Sequence, residues 1–91
     1  MSCCSYTIGT IVDISDIMNQ PYKFITVGKV PGDIYTYTRL VYSKETIILD
    51  HEYNEIGIED LKVGDTVVAF HSNAMTMSIP PQTSVFIIEV K

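Results

Sequence analysis

The 91-residue sequence predicts a single all-β domain, and three observations support this fold class. Residues that favour strands, above all Val, Ile, Thr and Tyr, recur along the whole chain. Apolar and polar residues alternate in several short segments, and Gly, Pro, Asn or Asp residues separate these segments. No segment keeps a helical period over about ten residues, which argues against an α/β fold.

The first half of the chain contains three predicted strands. The first covers residues 6–14, where one face carries Tyr6, Ile8, Val12 and Ile14, with Thr10 among them. Gly9 within it indicates a bulge or sharp bend. A turn at residues 16–21 leads to a second strand at 22–30. The turn Pro31-Gly32-Asp33 then leads to a third strand at 34–42.

The second half adds three more strands and one helical turn. A short buried strand at residues 46–50 precedes a polar loop at 51–57 and a helical turn near 58–62, where Ile58, Leu61 and Val63 are expected to plug one barrel end. Strands follow at 66–71 and 85–90, separated by a long loop that carries two prolines. This succession predicts a five- to six-stranded OB-like barrel over residues 6–91, preceded by an N-terminal arm at 1–5.

The composition limits the classes of function. The net charge is −5, and the 6 basic residues are scattered along the chain. A nucleic-acid binder needs clustered positive charge, so we predict no nucleic-acid partner. No apolar segment approaches the roughly 20 residues that span a bilayer, so we predict no membrane insertion. The start lacks the basic and apolar regions of a secretory signal, which predicts synthesis in the cytoplasm and leaves open a final location on a spore or cell surface.

Two motifs and one shorter segment carry a resemblance. They are Asp60-Leu61-Lys62-Val63-Gly64-Asp65, Met75-Thr76-Met77-Ser78-Ile79-Pro80-Pro81-Gln82 and the shorter Gly9-Thr10-Ile11. Together they resemble small OB-like β-barrel domains of spore-forming Gram-positive bacteria, which often occur within larger extracellular proteins. The resemblance implies the same barrel fold, and it implies no known activity.

Cys3 and Cys4 are adjacent in the N-terminal arm, and they are the only cysteines. Adjacent cysteines rarely bond to each other because the small ring strains a disulfide. On oxidation their simplest partner is another chain, whereas in a reducing compartment both stay free thiols. The pair also resembles the N-terminal cysteines of endospore appendage fibre subunits, which cross-link neighbouring subunits. That likeness supports Cys3 and Cys4 as inter-subunit disulfide candidates.

Several side chains are candidates for metal binding or catalysis. The soft or borderline metal ligands are Cys3, Cys4, His51, His71, Met75 and Met77. Zinc-type Cys-x-x-Cys spacing is missing and methionines commonly fill apolar gaps, so we predict no metal site. His71 and Ser72 are strand neighbours that point to opposite faces, and the sequence has no glycine-rich phosphate loop. We therefore predict no catalytic residue, no cofactor and no enzyme activity.

Two surfaces are candidates for binding. Tyr35, Tyr37 and Val41 share a predicted strand face that would stack on a ligand or a partner. The other surface is a predicted interaction loop, in which two prolines reduce the entropy lost on contact. Its candidate residues are Met75, Met77, Ile79, Pro80, Pro81 and Gln82.

The leading hypothesis is a non-enzymatic structural or interaction module. It would self-associate into an oligomer or fibre through strand edges and apolar loops, with Cys3 and Cys4 as covalent staples. The alternative is an OB-type domain that binds an oligosaccharide, a peptide or a small molecule. The sequence does not identify the ligand.

Overall fold

A computed structural model describes residues 5–17 and 19–91 of the chain. The prediction for Cys3 and Cys4 therefore lies outside the described residues. Within those residues the elements are seven strands and two short 3₁₀ turns, Ile34–Thr36 and Ile58–Asp60. The strands are β1 (Ser5–Asp16), β2 (Lys23–Gly28), β3 (Tyr37–Tyr42), β4 (Ile47–Leu49), β5 (Glu55–Ile56), β6 (Thr66–His71) and β7 (Gln82–Val90).

Five of these strands close into a barrel. β1, β2 and β3 form an antiparallel meander, and β6 pairs antiparallel with both β1 and β7. A parallel pairing of β3 with β7 joins the two halves and closes the sheet. β4 pairs in parallel with the C-terminal part of β7, and β5 pairs with β4 outside the barrel. The predictions of an all-β barrel and of one helical turn near residue 60 are confirmed.

The barrel interior is filled by aliphatic side chains from every strand of the closed sheet. Because side chains alternate along a strand, each barrel strand sends its inward positions to one common core. Burying an aliphatic side chain of this size stabilises the fold by about 1.5–3 kcal/mol. The fully enclosed aliphatic residues are Ile11, Ile25, Val27, Leu40, Val67, Ala69 and Ile88.

The predicted face of β1 is wrong because the strand contains a bulge. Ile11 is fully buried, whereas Tyr6 and Ile8 are 64% and 50% exposed. The register with β2 shifts between Ile11 and Asp13, and this extra residue lets Ile14 also pack against the core. Gly9 serves another purpose, since a Cβ there would lie 2.9 Å from the carbonyl oxygen of Gly28.

The starts of β3 and β7 and one plugging residue also differ from the predictions, and β5 forms within the predicted loop at 51–57. β3 begins at Tyr37, because Asp33 accepts a hydrogen bond from the N–H of Tyr35 and starts a 3₁₀ turn. β7 begins at Gln82, since its first residues pair with β3. At the end of the barrel, Leu61 is buried as predicted, but Val63 is 63% exposed and does not plug it.

Candidate functional site

One end of the barrel opens to solvent as a cleft of about 440 Å³, which we call the mouth cleft. β1 and β3 begin at this end and β6 finishes there. The rest of the lining comes from the segments before β3 and before β7. The lining residues are Thr7, Lys29, Tyr35, Thr36, Tyr37, Thr38, His71, Met75 and Pro81.

His71 is buried in the mouth cleft, and both of its ring nitrogens are engaged. Nδ1 lies 2.9 Å from the carbonyl oxygen of Ser72, and Nε2 lies 2.8 Å from Oγ1 of Thr7. A carbonyl oxygen can only accept, so Nδ1 carries a proton, and Nε2 is hydrogen-bonded to the hydroxyl of Thr7. The imidazole therefore ties β6 to β1 and has no free nitrogen for a metal or for proton transfer.

The segment between β6 and β7, residues 72–81, is held by its own polar groups. The N–H and Oγ1 of Thr76 both bond to the backbone of Gln82, each at 3.0 Å. Oγ1 of Thr76 also lies 2.7 Å from Oγ of Ser78, which donates to the carbonyl oxygen of Pro80. These bonds join the two ends of the segment to each other.

The same segment presents apolar side chains to solvent. Met75, Met77 and Ile79 are all exposed, and they alternate with the hydrogen-bonded Thr76 and Ser78. Its two prolines are partly buried, with Pro81 in the wall of the mouth cleft. The predicted interaction loop therefore exposes three apolar side chains to solvent. Gln82, which was predicted to belong to the loop, is the first residue of β7.

The three residues of the predicted aromatic face are separated in the structure. Tyr35 is 80% exposed and lies on the 3₁₀ turn before β3. The ring of Tyr37 covers Gly28, where a Cβ would come within 2.6 Å of it, and its hydroxyl accepts from the N–H of Gly32 at 2.8 Å. Both tyrosines line the mouth cleft.

Val41 faces a second cavity of about 340 Å³ rather than the mouth cleft. Met75 lines both cavities, and Gln82 lines the second one. The structure therefore brings the two predicted binding surfaces together around a single methionine. Sequence spacing gave no signal for this meeting, because it depends on the pairing of β3 with β7.

An apolar surface on the outside of the barrel was missed by the sequence reasoning. Directly opposed strand residues project from the same face of a sheet, and one such row crosses β1, β6, β7 and β4. Ile8 and Phe86 flank this row and are also exposed. We call these six residues the sheet face: Tyr6, Phe70, Ile87, Ile47, Ile8 and Phe86.

The two histidines do not meet in the structure. His51 is exposed and lines a small cavity beside Tyr53 and Lys91, whereas His71 lies in the mouth cleft. Among residues 5–17 and 19–91, no three His, Cys, Asp or Glu side chains are grouped so as to hold a metal ion. Met77 projects fully into solvent, so it does not join His71 in a ligand set.

Asp50 lies just after β4, and its carboxylate accepts two backbone hydrogen bonds. Its pKa lies below the ordinary value of 3.8, chiefly because the backbone N–H of Asn54 donates to the carboxylate. The N–H of Glu52 donates to the same oxygen. The carboxylate therefore stabilises the turn before β5, which gives Asp50 a structural role.

A further cavity of about 480 Å³ lies beside the 3₁₀ turn Ile58–Asp60. Ile14, Ile58 and Leu61 contribute apolar walls, and the same side chains pack against the barrel core. Lys23 lies at its rim and is ion-paired with Asp16. Exposed Glu59, Lys62 and Val63 complete its lining.

Comparisons of the chain with protein-family models, with curated proteins and with solved structures each returned no match. The resemblance to barrel domains of spore-forming bacteria therefore stays a prediction. In the described residues, no helix has the length and apolar character needed to cross a bilayer.

Proposed function

We propose that the protein is a non-enzymatic interaction module that self-associates through the sheet face. The observation that carries this proposal is the apolar row across four strands, Tyr6, Phe70, Ile87 and Ile47. A row of this kind on an outer sheet surface normally packs against another layer. No layer of the described residues covers it, since Tyr6 and Ile47 are 64% and 42% exposed.

The size of the sheet face suits a protein contact. Taking about 200 Å² for a whole aromatic side chain, Tyr6 and Phe86 together leave roughly 200 Å² in solvent. The exposed isoleucines bring the patch into the range of about 300–600 Å² that marks interaction sites on monomers. The apolar part of a standard interface is of similar size, at a little over half of about 800 Å² per partner.

The sheet face is compatible with a second copy of the chain as the partner, although the two copies carry like net charge. The net charge of −5 makes two copies repel each other, so a stable contact between them needs a neutral centre. The six residues of the sheet face carry no charge. A two-fold contact uses the same patch on both subunits, and a neutral, flat patch meets that requirement.

In this proposal Cys3 and Cys4 strengthen the assembly covalently. The residue that follows them begins β1, and β1 carries Tyr6 and Ile8 of the sheet face. A disulfide between neighbours would convert a weak apolar contact into a durable one, as a fibre or a spore-surface layer requires. Synthesis in the cytoplasm with later deposition on a surface belongs to the same proposal.

Self-association is tested with a double substitution, Ile47→Lys plus Phe86→Lys, and sedimentation velocity under reducing conditions. Both positions are already exposed, so the fold should survive while the contact gains like charges. The matched control is Tyr22→Lys plus Val63→Lys, two exposed apolar residues outside the sheet face. We expect concentration-dependent association in the parent protein and in the control, and a monomer in the test variant.

The covalent part has its own experiment. Oxidised protein should run as a ladder on a non-reducing gel, and Cys3→Ser plus Cys4→Ser should abolish the ladder without abolishing the reversible association. A parent protein that sediments as a monomer at every concentration, oxidised or reduced, would refute the proposal.

A second candidate function is ligand binding by an OB-like barrel. A meander of three strands, a following hairpin and closure of the sheet support that assignment, because the OB fold is a five-stranded Greek-key barrel. In OB barrels the loop between the fourth and fifth barrel strands contributes to ligand binding. Here that loop is residues 72–81, which form one wall of the mouth cleft.

Thermal-shift screening tests the second candidate. A ligand that binds only the folded protein raises the melting temperature, without any change in sedimentation. Tyr35→Ala should remove the shift, because Tyr35 lines the cleft while remaining 80% exposed, so its loss should leave the fold intact. The control is Tyr53→Ala, at an exposed tyrosine away from the cleft.

A further inference from the structure

Part of β1 has a free edge. Ile11 bonds through both its N–H and its carbonyl to the segment that starts β6, at 2.8 Å each. Backbone groups point to alternate sides along a strand, so Thr7 and Gly9 also face β6, whereas Tyr6 and Ile8 face the other way. On that other side β2 ends opposite Thr10.

The N–H and carbonyl groups of Tyr6 and Ile8 therefore have no strand beside them in the described residues. The chain leaves the line of β2 after Gly28 and turns through Pro31 and Gly32 instead of continuing the ladder. An added strand would fit in line with β2, where it would meet four unused backbone groups. Such addition to an open sheet edge is a recurring mode of peptide recognition.

The mouth cleft lies beside this edge. Thr7, between the two free residues, is one of its lining residues. A strand added along Tyr6–Ile8 would send the side chain opposite Thr7 towards the cleft, and the side chains on either side of it outwards. The volume of about 440 Å³ accepts a large apolar side chain against Tyr37 and Met75.

The cleft carries one positive charge on a protein whose net charge is −5. Lys29 is its one lining residue with a permanent charge, and no carboxylate lines it. Lys29 is exposed, and no ion pair of the described residues includes it. An acidic side chain or a free carboxyl terminus on the peptide would complement this charge.

The walls are already ordered, which lowers the entropy lost on binding. Oγ1 of Thr36 accepts a hydrogen bond from the N–H of Val30. Its single proton is shared between the carbonyl of Asp33 at 2.8 Å and that of Val30 at 3.2 Å, so Thr36 fixes the segment before β3. The opposite wall, residues 72–81, is closed by Thr76 and Ser78.

We propose that the free edge of β1 and the mouth cleft together bind an extended peptide, with an apolar side chain in the cleft and an acidic group beside Lys29. This inference rests on the second candidate function and names its ligand class. It does not depend on self-association.

The test selects heptapeptides from a random phage-displayed library against the reduced protein. Enriched sequences are then synthesised, and the exchange of backbone amides is followed by NMR in the free and bound protein. We expect enriched peptides to contain Asp or Glu. We also expect them to slow the exchange of the Tyr6 and Ile8 amides, because these become hydrogen-bonded to the peptide. Thr7 and Gly9, already bonded to β6, should change much less.

Lys29→Glu should weaken binding about fivefold or more, since an exposed ion pair becomes a like-charge contact. Lys44→Glu is the matched control at an exposed lysine outside the cleft, and it should leave the affinity unchanged. Ile8→Pro removes one free N–H at an edge position and should abolish binding. If Ile8→Pro unfolds the protein, the exchange pattern of the parent protein decides.

Three outcomes would overturn the inference: no peptide enriched over a blank surface, slowed exchange at amides other than Tyr6 and Ile8, or equal loss of affinity in both lysine variants. An oligosaccharide or small molecule that binds where no peptide does would uphold the second candidate function and reject its peptide ligand. A monomer in sedimentation would refute self-association and leave peptide binding untouched.

Discussion

In the sequence His71 is a candidate for catalysis or metal binding, whereas in the fold its side chain links two strands. Its neighbours Ser72 and Met75 made it such a candidate. The structure engages both ring nitrogens, with Thr7 on one strand and with the carbonyl of Ser72. A buried imidazole that is satisfied in this way specifies how two strands meet, because any shift would leave polar atoms unpaired.

His71→Ala should therefore destabilise the protein by about 3 kcal/mol, through lost packing and the unpaired hydroxyl of Thr7. Denaturant unfolding measures the change. His51→Ala is the matched control at an exposed histidine, and it should alter stability by less than about 0.5 kcal/mol. Similar effects of the two substitutions would contradict the structural role of His71.

Asp50 predicts a specific dependence of stability on pH. Its pKa is lowered on folding because Asn54 and Glu52 donate backbone hydrogen bonds to the carboxylate. A lowered pKa means that the carboxylate stabilises the fold at pH values above 3.8, and that this contribution is lost as the pH falls through the folded pKa. Asp50→Asn should be less stable than the parent near neutral pH, with the gap narrowing in acid. Unfolding curves that show a gap widening in acid would contradict this origin.

At the scale of elements, β1 determines most of the surface chemistry. Its bulge after Ile11 allows residues on both sides of the extra position to reach the core, while Tyr6 and Ile8 remain outside. A strict period of two would have placed Ile8 and Ile14 on the same face, and that was the sequence prediction. The bulge thus lets Tyr6 and Ile8 join the sheet face while Ile14 reaches the core, and the free edge arises separately, where β2 ends opposite Thr10.

Gly9→Ala tests the close approach of β1 to β2. The new Cβ would lie 2.9 Å from a backbone oxygen of Gly28, which cannot move without disturbing the ladder. We expect a loss of about 1–3 kcal/mol, as for other overpacked sites. Ser84→Ala, at an exposed strand position, should be nearly neutral in the same denaturant titration.

Thr76→Val tests the self-closure of residues 72–81. Valine keeps the shape of threonine and removes the hydroxyl that accepts from the N–H of Gln82 and bonds to Ser78. The amide of Gln82 should exchange faster, while global stability falls by no more than about 1 kcal/mol. Unchanged exchange at Gln82 would show that the segment is ordered by other contacts.

The parts of the fold that follow from short-range patterns were predictable. Residues 66–71 were predicted as a strand and form β6, and Leu61 was predicted to plug a barrel end and is buried. The start of β7 was missed because Pro81 indicates a loop, yet its carbonyl accepts from the N–H of Arg39 at 2.8 Å. The sheet face was missed because Tyr6 and Ile47 become neighbours only through the strand registers.

For the whole molecule, self-association predicts that stability depends on protein concentration. Binding between folded copies shifts the unfolding equilibrium by mass action, so the melting temperature of the reduced parent protein should rise with concentration. The variant with Ile47→Lys and Phe86→Lys should melt at one temperature throughout the same series. A constant melting temperature in the parent protein would contradict assembly of the folded state.

The closure of the barrel by β7 has a consequence for synthesis on the ribosome. β7 pairs with β3, β4 and β6. The strands synthesised before it therefore cannot close the barrel until the residues of β7 leave the ribosome. A nascent chain stalled just before Gln82 should therefore expose its apolar strands, bind holding chaperones and be cut readily by added protease. Once synthesis resumes and β7 emerges, both chaperone binding and protease cleavage should cease within the time that the barrel takes to fold.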